Sequence, residues 1–171
     1  MQTSSRLNQA LNQQVGNEMG ASLQYIAIAA HFDAQSLTGL ARFFYRQAEE
    51  EREHAMKFVH YVVDSGGELE IPAVPAPKSS FTSAKEAVEL ALAWEREVTQ
   101  QIYGLVEIAT EESNYIAIRF LDWFVNEQFE EVTTMGEMLD VVTRAGEENL
   151  LAVEEFLARE GKVPQAQPEE H

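Results

Sequence analysis

Cysteine is absent from this 171-residue chain. Disulfides, thiolate zinc sites, iron–sulfur clusters and a cysteine nucleophile are thereby excluded together. Positive charge is scarce: 12 Lys and Arg stand against 29 Asp and Glu, a net charge of −17. A surface that acidic repels nucleic-acid backbones and anionic membranes, so neither is an expected partner, and cations are the natural ligands. No apolar run approaches the roughly 20 residues of a membrane span. The stretch Met1-Gln2-Thr3-Ser4-Ser5-Arg6 lacks the apolar core of a secretory signal, so a cytoplasmic protein is expected. Hydrophobic residues make up 45% of the chain, which suits a packed core and argues against wholesale disorder.

Proline is rare and confined. Pro72, Pro75 and Pro77 form one group, Pro164 and Pro168 another. The intervening blocks are rich in Ala, Leu, Glu and Gln and read as helices. Apolar residues recur in them with a helical period. Leu7, Leu11, Ala21, Tyr25, Ile28 and Phe32 mark a first helix over about 4–33. Leu40, Phe44, Phe58 and Tyr61 mark a second over about 37–65, stopped at Gly66-Gly67. Ser83-Ala84-Lys85-Glu86 has the pattern of a capping box and opens a third helix. Ser113-Asn114 interrupts, and a fourth runs to about 144, ended by Gly146. A short fifth helix is expected from Asn149 to Glu160. One domain over 1–161 and a loose polar tail over 162–171 complete the reading.

Four long helices without a strand signal predict an all-α four-helix bundle. Short turns make hairpins of the first and last pairs. The link Gly66–Thr82 is different. A helix of about 28 residues is about 42 Å long, and a link of about 17 extended residues reaches roughly 56 Å. One long crossover can therefore span the bundle and leave helices two and three parallel.

Each apolar stripe is broken near its middle by polar residues: Glu18 on the first helix, Glu51 and His54 on the second, Glu95 on the third, Gln128 and Glu131 on the fourth. Helix midpoints in such a bundle share one level, so these groups should meet in one interior layer. Four carboxylates cannot be buried together without protons or a cation. No Lys or Arg falls on the stripes at that level, so a metal is the expected compensation. Oxygen ligands with one imidazole and no sulfur suit iron or manganese, with zinc also possible. Glu51-x-x-His54 places two ligands on one helix face, and the number of ligands suggests a dinuclear site. A single Glu-x-x-His is common on solvated helices; the conjunction of four stripes at one depth is what carries the reading. Tyr25 lies two turns from Glu18 on the same face. Glu50, Glu127 and Glu130 form a second tier able to hold a third cation, although a solvated acidic face is the commoner arrangement for three such residues. His31, His60 and His171 have no comparable context.

The segments Asn17-Glu18-Met19, Glu49-Glu50-Glu51-Arg52-Glu53-His54-Ala55-Met56-Lys57, Trp94-Glu95-Arg96-Glu97-Val98-Thr99-Gln100 and Phe120 to Glu131 resemble the ferroxidase segments of the non-haem bacterial ferritins. The resemblance spans about residues 5–160. It implies the ferritin-like four-helix bundle with one long crossover and a short fifth C-terminal helix. It implies Glu18, Glu51 and His54 as ligands of one iron, Glu51 as the bridge, and Glu95, Gln128 and Glu131 serving the second. Glu50, Glu127 and Glu130 match a third iron site, and Tyr25 the tyrosine beside the centre. The implied activity is oxidation of Fe2+ by dioxygen or hydrogen peroxide, with storage as a ferric oxide mineral inside a hollow shell of 24 subunits.

Departures from related families narrow the resemblance. Bacterioferritins carry a haem-ligating Met after the bridging Glu and a second Glu-x-x-His on helix four. Here Arg52 and Glu127-Gln128-Phe129-Glu130 occupy those places, so no haem is expected. Rubrerythrins need cysteine. The acidic pair of animal three-fold channels does not map cleanly, Asp122 being only nearby. Two other readings fit the same sequence: a di-metal oxidase or oxygenase acting on an organic substrate, and a metal-free helical scaffold.

Overall fold

Ser4 opens the first helix by accepting a hydrogen bond from the Leu7 amide at 3.0 Å, an ordinary N-cap. The computed structural model describes residues 3–160, and the tail expected over 162–171 lies outside them. Helix α1 runs Ser5–Asp33, α2 Thr38–Asp64, α3 Ala84–Glu111, α4 Tyr115–Ala145 and α5 Leu150–Arg159, the last preceded by a 3-10 turn, Glu147–Asn149. Sequence and structure agree on each helix to within a residue or two, and the described residues contain no strand. None of these helices is long and apolar enough to cross a membrane.

The hairpin turns are tight because each uses one left-handed residue, Ser36 at φ 60° and Ser113 at φ 52°. Helix α1 is antiparallel to α3: Ser4 and Arg6 at its start meet Glu112 and Glu111 at the end of α3. Antiparallel pairing of α1 with α2 then makes α2 parallel to α3, as the long crossover allows.

Two side-chain clasps hold that crossover along α1. Asn12 donates to the Glu68 carbonyl at 2.8 Å and accepts from the Glu70 amide at 2.9 Å. Gln24 does the same with Lys78, both bonds 2.9 Å. These buried amides pair with backbone groups that an irregular link cannot pair internally. Between the clasps lie Gly16, against which the Pro72 ring packs, and Gly20, against Val74 and Trp94. Residues 12, 16, 20 and 24 fall at four-residue spacing, so one face of α1 is built to seat the link.

Helices also cap one another. Helix α2 has no side-chain cap of its own; Glu154 of α5 accepts from the Gly39 and Leu40 amides, the latter at 3.0 Å. Glu147 likewise accepts from Ala84 and Lys85 at 3.0 and 3.1 Å. Carboxylates at helix N-termini satisfy free amides and the helix dipole together. The expected capping box differs in one detail. Ser83 caps the Glu86 amide at 3.0 Å, but Glu86 returns to the amide and hydroxyl of Thr82, both 2.6 Å away, and to Lys78.

The apolar interior is divided in two. One cluster, at the α5 end, includes Tyr25, Ile28, Phe32, Phe43, Phe44, Val88, Met135 and Val153. The other includes Leu7, Leu11, Phe58, Val62, Ile102, Leu121 and Phe124. The polar layer lies between them.

Gly16→Ala should lower the unfolding free energy by about 1–3 kcal/mol, since the gain in helix propensity is outweighed by displacement of Pro72. Gly104→Ala, whose new methyl meets nothing within 4 Å, should raise it by about 0.5–1 kcal/mol. Denaturant titration of the two variants measures both. Equal shifts of one sign would show that the crossover does not press on α1.

Candidate metal centre

Glu18 projects from α1, Glu51 and His54 from α2, Glu95 from α3, and Gln128 and Glu131 from α4. None of the six is more than 5% exposed. Ligand atoms of Glu18, Glu51 and His54 lie within 4.8 Å of one another, and so do those of Glu51, Glu95 and Glu131. Glu51 belongs to both groups. A third group joins His54 to Glu127 and Glu131. The four stripes therefore do meet in one layer.

The layer is under-compensated by the protein alone. Glu18 Oε2, Glu51 Oε1 and His54 Nδ1 are buried with no hydrogen-bond partner. His54 Nδ1 lies 3.5 Å from Glu51 Oε2, too far for a good bond. A proton shared between Glu18 and Glu51 would give those acids a donor, and protonation is what burial favours here. Burial lifts Glu18 to about 7 and Glu131 to about 9. Burial, then Glu95 and Glu18, raises Glu51 well above the carboxylate range. Burial also raises Glu95, against the hydrogen bonds from Tyr25 and Gln128. Burial lowers His54 to about 4, helped by Lys57, so its imidazole is neutral near pH 7 and can act as a ligand. Unpartnered acceptors converging on one space, all favouring neutrality in the absence of a cation, fit a divalent metal.

The surrounding donors are specific about which oxygen they take. Tyr25, fully buried, donates its hydroxyl to Glu95 Oε1. Its phenol is held well above 10 by burial and the neighbouring acids, Glu95 first among them, so it remains a donor. Gln128 Nε2 donates to Glu95 Oε2 at 3.0 Å, which makes the amide nitrogen the engaged end. Gln14 Nε2 donates to Glu18 Oε1 at 2.8 Å. Gln47 Nε2 donates to Glu131 Oε2 at 2.9 Å and to Glu50 Oε2 at 3.1 Å.

The second tier is only partly drawn in. Glu127 is half-buried, with His54 Nε2 at 3.8 Å, and its carboxyl is raised by burial and by Glu130 and Glu50. Glu50 is half-buried between Gln47 and Arg46, whose Nε is 3.5 Å from Oε1. Glu130 is exposed, and neither it nor Glu50 belongs to the three groups. Cationic side chains reach the rim but not the layer: Arg46 stops at Glu50, and Lys57 lies over the Trp123 ring at 4.6 Å.

Gln14 and Gln47 lie on the apolar stripes of α1 and α2, yet the sequence pattern assigned no role to them or to Trp123. Gln14 stands four residues before Glu18 on one stripe, a spacing that signals its contact; Gln47 stands four before Glu51 but bonds Glu50 and Glu131 instead, which spacing does not foretell. Trp123 packs edge-on against His54, ring centroids 5.4 Å apart. Nothing in its spacing distinguishes it from a surface aromatic.

Residues 8–145 match the family model of the ferritin-like domain. The chain is 42% identical to the ferritin BfrB of Mycolicibacterium smegmatis, covering 96% of this chain and 90% of that one. It is 41% identical to the bacterial non-heme ferritin of Staphylococcus aureus, covering 85% and 88%. Among solved structures, an open pore ferritin from Archaeoglobus fulgidus superposes with a TM-score of 0.87 at 32% identity, over 91% of this chain and 97% of that one.

The raised carboxyls set a pH dependence for the metal-free protein. In the unfolded chain they lose their protons near 4.5, whereas folded Glu18 and Glu131 keep theirs to about 7 and 9. Folding stability therefore falls as pH rises between those limits. The lowered His54 opposes this mainly below about 6.5, where its contribution falls as pH drops toward 4. Between pH 6.5 and 9 the raised carboxyls outweigh it, so the melting temperature of metal-stripped protein should decline. Glu131→Gln should flatten the decline. A wild-type melting temperature unchanged across that range would contradict the burial argument.

Proposed function

From a chain that belongs to the ferritin family, we propose an iron-storage subunit whose central layer is a ferroxidase centre, with Fe2+ as its substrate. The observation that carries this is the convergence of Glu18, Glu51, His54, Glu95 and Glu131 around buried acceptors without donors. The four buried carboxylates match in charge the four positive charges of two ferrous ions. Glu18, Glu51 and His54 hold one ion, and Glu95, Gln128 and Glu131 the other. Glu51, common to two ligand groups, bridges them. Glu50, Glu127 and Glu130 attract a third cation more weakly, being exposed or half-buried and screened by water.

Oxidation follows from electrostatics. Carboxylates stabilise Fe3+ more than Fe2+, because attraction scales with charge and is strong in a dry site. Two ferrous ions give two electrons to one dioxygen, which takes two protons and leaves as hydrogen peroxide. With hydrogen peroxide as oxidant, two electrons and two protons give two waters. The ferric pair carries two positive charges more than the four carboxylates neutralise. The acids Glu127, Glu130 and Glu50 lie beside the layer to draw the product onward. Tyr25 and Gln128 hold both oxygens of Glu95, and Gln47 holds one of Glu131, so those ligands are in place before substrate arrives. Arg52 stands where bacterioferritins carry a haem-ligating Met, and this reading includes no haem.

The subunit assembles into a hollow shell of 24 copies in the cytoplasm, storing ferric oxide inside. At 19.3 kDa per chain, the particle mass is roughly half a megadalton. A monomer or dimer in solution would favour the oxidase or oxygenase reading instead.

Stopped-flow oxidation of Fe2+ tests the centre. Glu51→Ala and His54→Ala should assemble normally and oxidise iron about a hundredfold more slowly. Wild-type rates in both variants would remove them from the centre.

A further inference from the structure

We infer that Gln14 is a positioning residue for Glu18, holding one carboxylate oxygen so that the other is presented to the metal. This rests on the reading of the layer as a metal centre. Gln14 is 2% exposed and sits one turn before Glu18 on α1. Its Nε2 donates to Glu18 Oε1 at 2.8 Å, while Glu18 Oε2 is buried without a partner. The two oxygens of one carboxylate are thus made unequal. Glu95 is treated differently, since donors engage both of its oxygens.

The amide cannot easily turn over. Asn17 Nδ2 donates to Gln14 Oε1 at 3.1 Å, and Gln13 Nε2 donates to Asn17 Oδ1 at 3.1 Å. A flipped Gln14 would set oxygen against carboxylate and NH2 against NH2. Three amides thus form a one-way chain, from exposed Gln13 through Asn17 and Gln14, with every donor pointing toward Glu18. Amides carry no net charge and no readily ionised proton. The chain therefore orients the ligand without competing with the cation, as a lysine or arginine at Gln14 would. Groups that hold a metal ligand in this way sharpen both affinity and coordination.

The test uses assembled protein and Co2+, a probe that is not oxidised there and whose visible absorption reports coordination number. In Gln14→Leu, which keeps bulk but loses the donor, both Glu18 oxygens become free to bind. The Co2+ band should weaken as coordination number rises, and affinity for the first Co2+ should drop about tenfold. With Fe2+, the half-saturating concentration should rise about tenfold and the saturated rate fall less than threefold. Asn17→Leu, which frees the amide without touching its bond to Glu18, should shift both in the same direction but less. A wild-type Co2+ spectrum and affinity in Gln14→Leu overturns the inference. If that variant does not assemble, an unchanged Asn17→Leu overturns it instead. Glu18→Ala separates the two levels of the argument. Loss of tight Co2+ binding there, with Gln14→Leu unaffected, sinks only the positioning role. Unchanged binding in Glu18→Ala sinks the metal-centre reading itself.

Discussion

Four carboxylates buried at one level of a helical bundle repel one another and have lost the water that would stabilise their charge. That conflict organises the molecule. Each ionised acid costs several kcal/mol to bury, so the interior reaches neutrality either with protons or with cations. The raised carboxyls of Glu18, Glu51, Glu95 and Glu131 describe the first solution. The unpartnered oxygens and the neutral His54 ring describe readiness for the second. A core devoted to stability alone would carry leucine at these places. Here two apolar clusters bear the packing on either side of a layer that costs stability, which is what the proposed metal site would require.

The scaffold keeps that layer in register. The layer draws its side chains from all four helices, so axial slippage of any one would separate them by about 1.5 Å per residue. Several features resist slippage, and each is made of side chains reaching across the fold. The Asn12 and Gln24 clasps tie the crossover to α1. Glu154 and Glu147 bind the starts of α2 and α3 from beyond the end of α4. Stacked Tyr61 and Phe120 join α2 to α4 near the far end. The short fifth helix is therefore part of the bundle's own construction.

Around the acids, neutral donors do the orienting. Gln14, Gln47, Gln128 and Tyr25 each hold a particular carboxylate oxygen, and none brings a positive charge into the layer. The charged groups that come near, Arg46 and Lys57, are kept at the rim by Glu50 and Trp123. Such a division fits the proposed binding and release of cations. A resident lysine or arginine would hold the acids permanently, whereas amides and a phenol shape them and leave their charge available.

The helices, their ends and the level at which they are interrupted by acids were legible in the sequence because they depend on local chemistry. Apolar periodicity, proline placement, the Gly66-Gly67 stop and the Ser83 cap act over a few residues. The polar residues at the stripe midpoints needed only the assumption of a bundle to be brought together. Other features were settled by tertiary structure. Glu154 at the α2 N-terminus, Glu86 turned to Thr82, and the amide chain ending on Glu18 involve choices among several nearby donors and acceptors. Spacing along one helix says which side chains can meet. Which oxygen a given amide takes, and which is left for a cation, depends on the packing of four helices at once, and only the folded chain decides it.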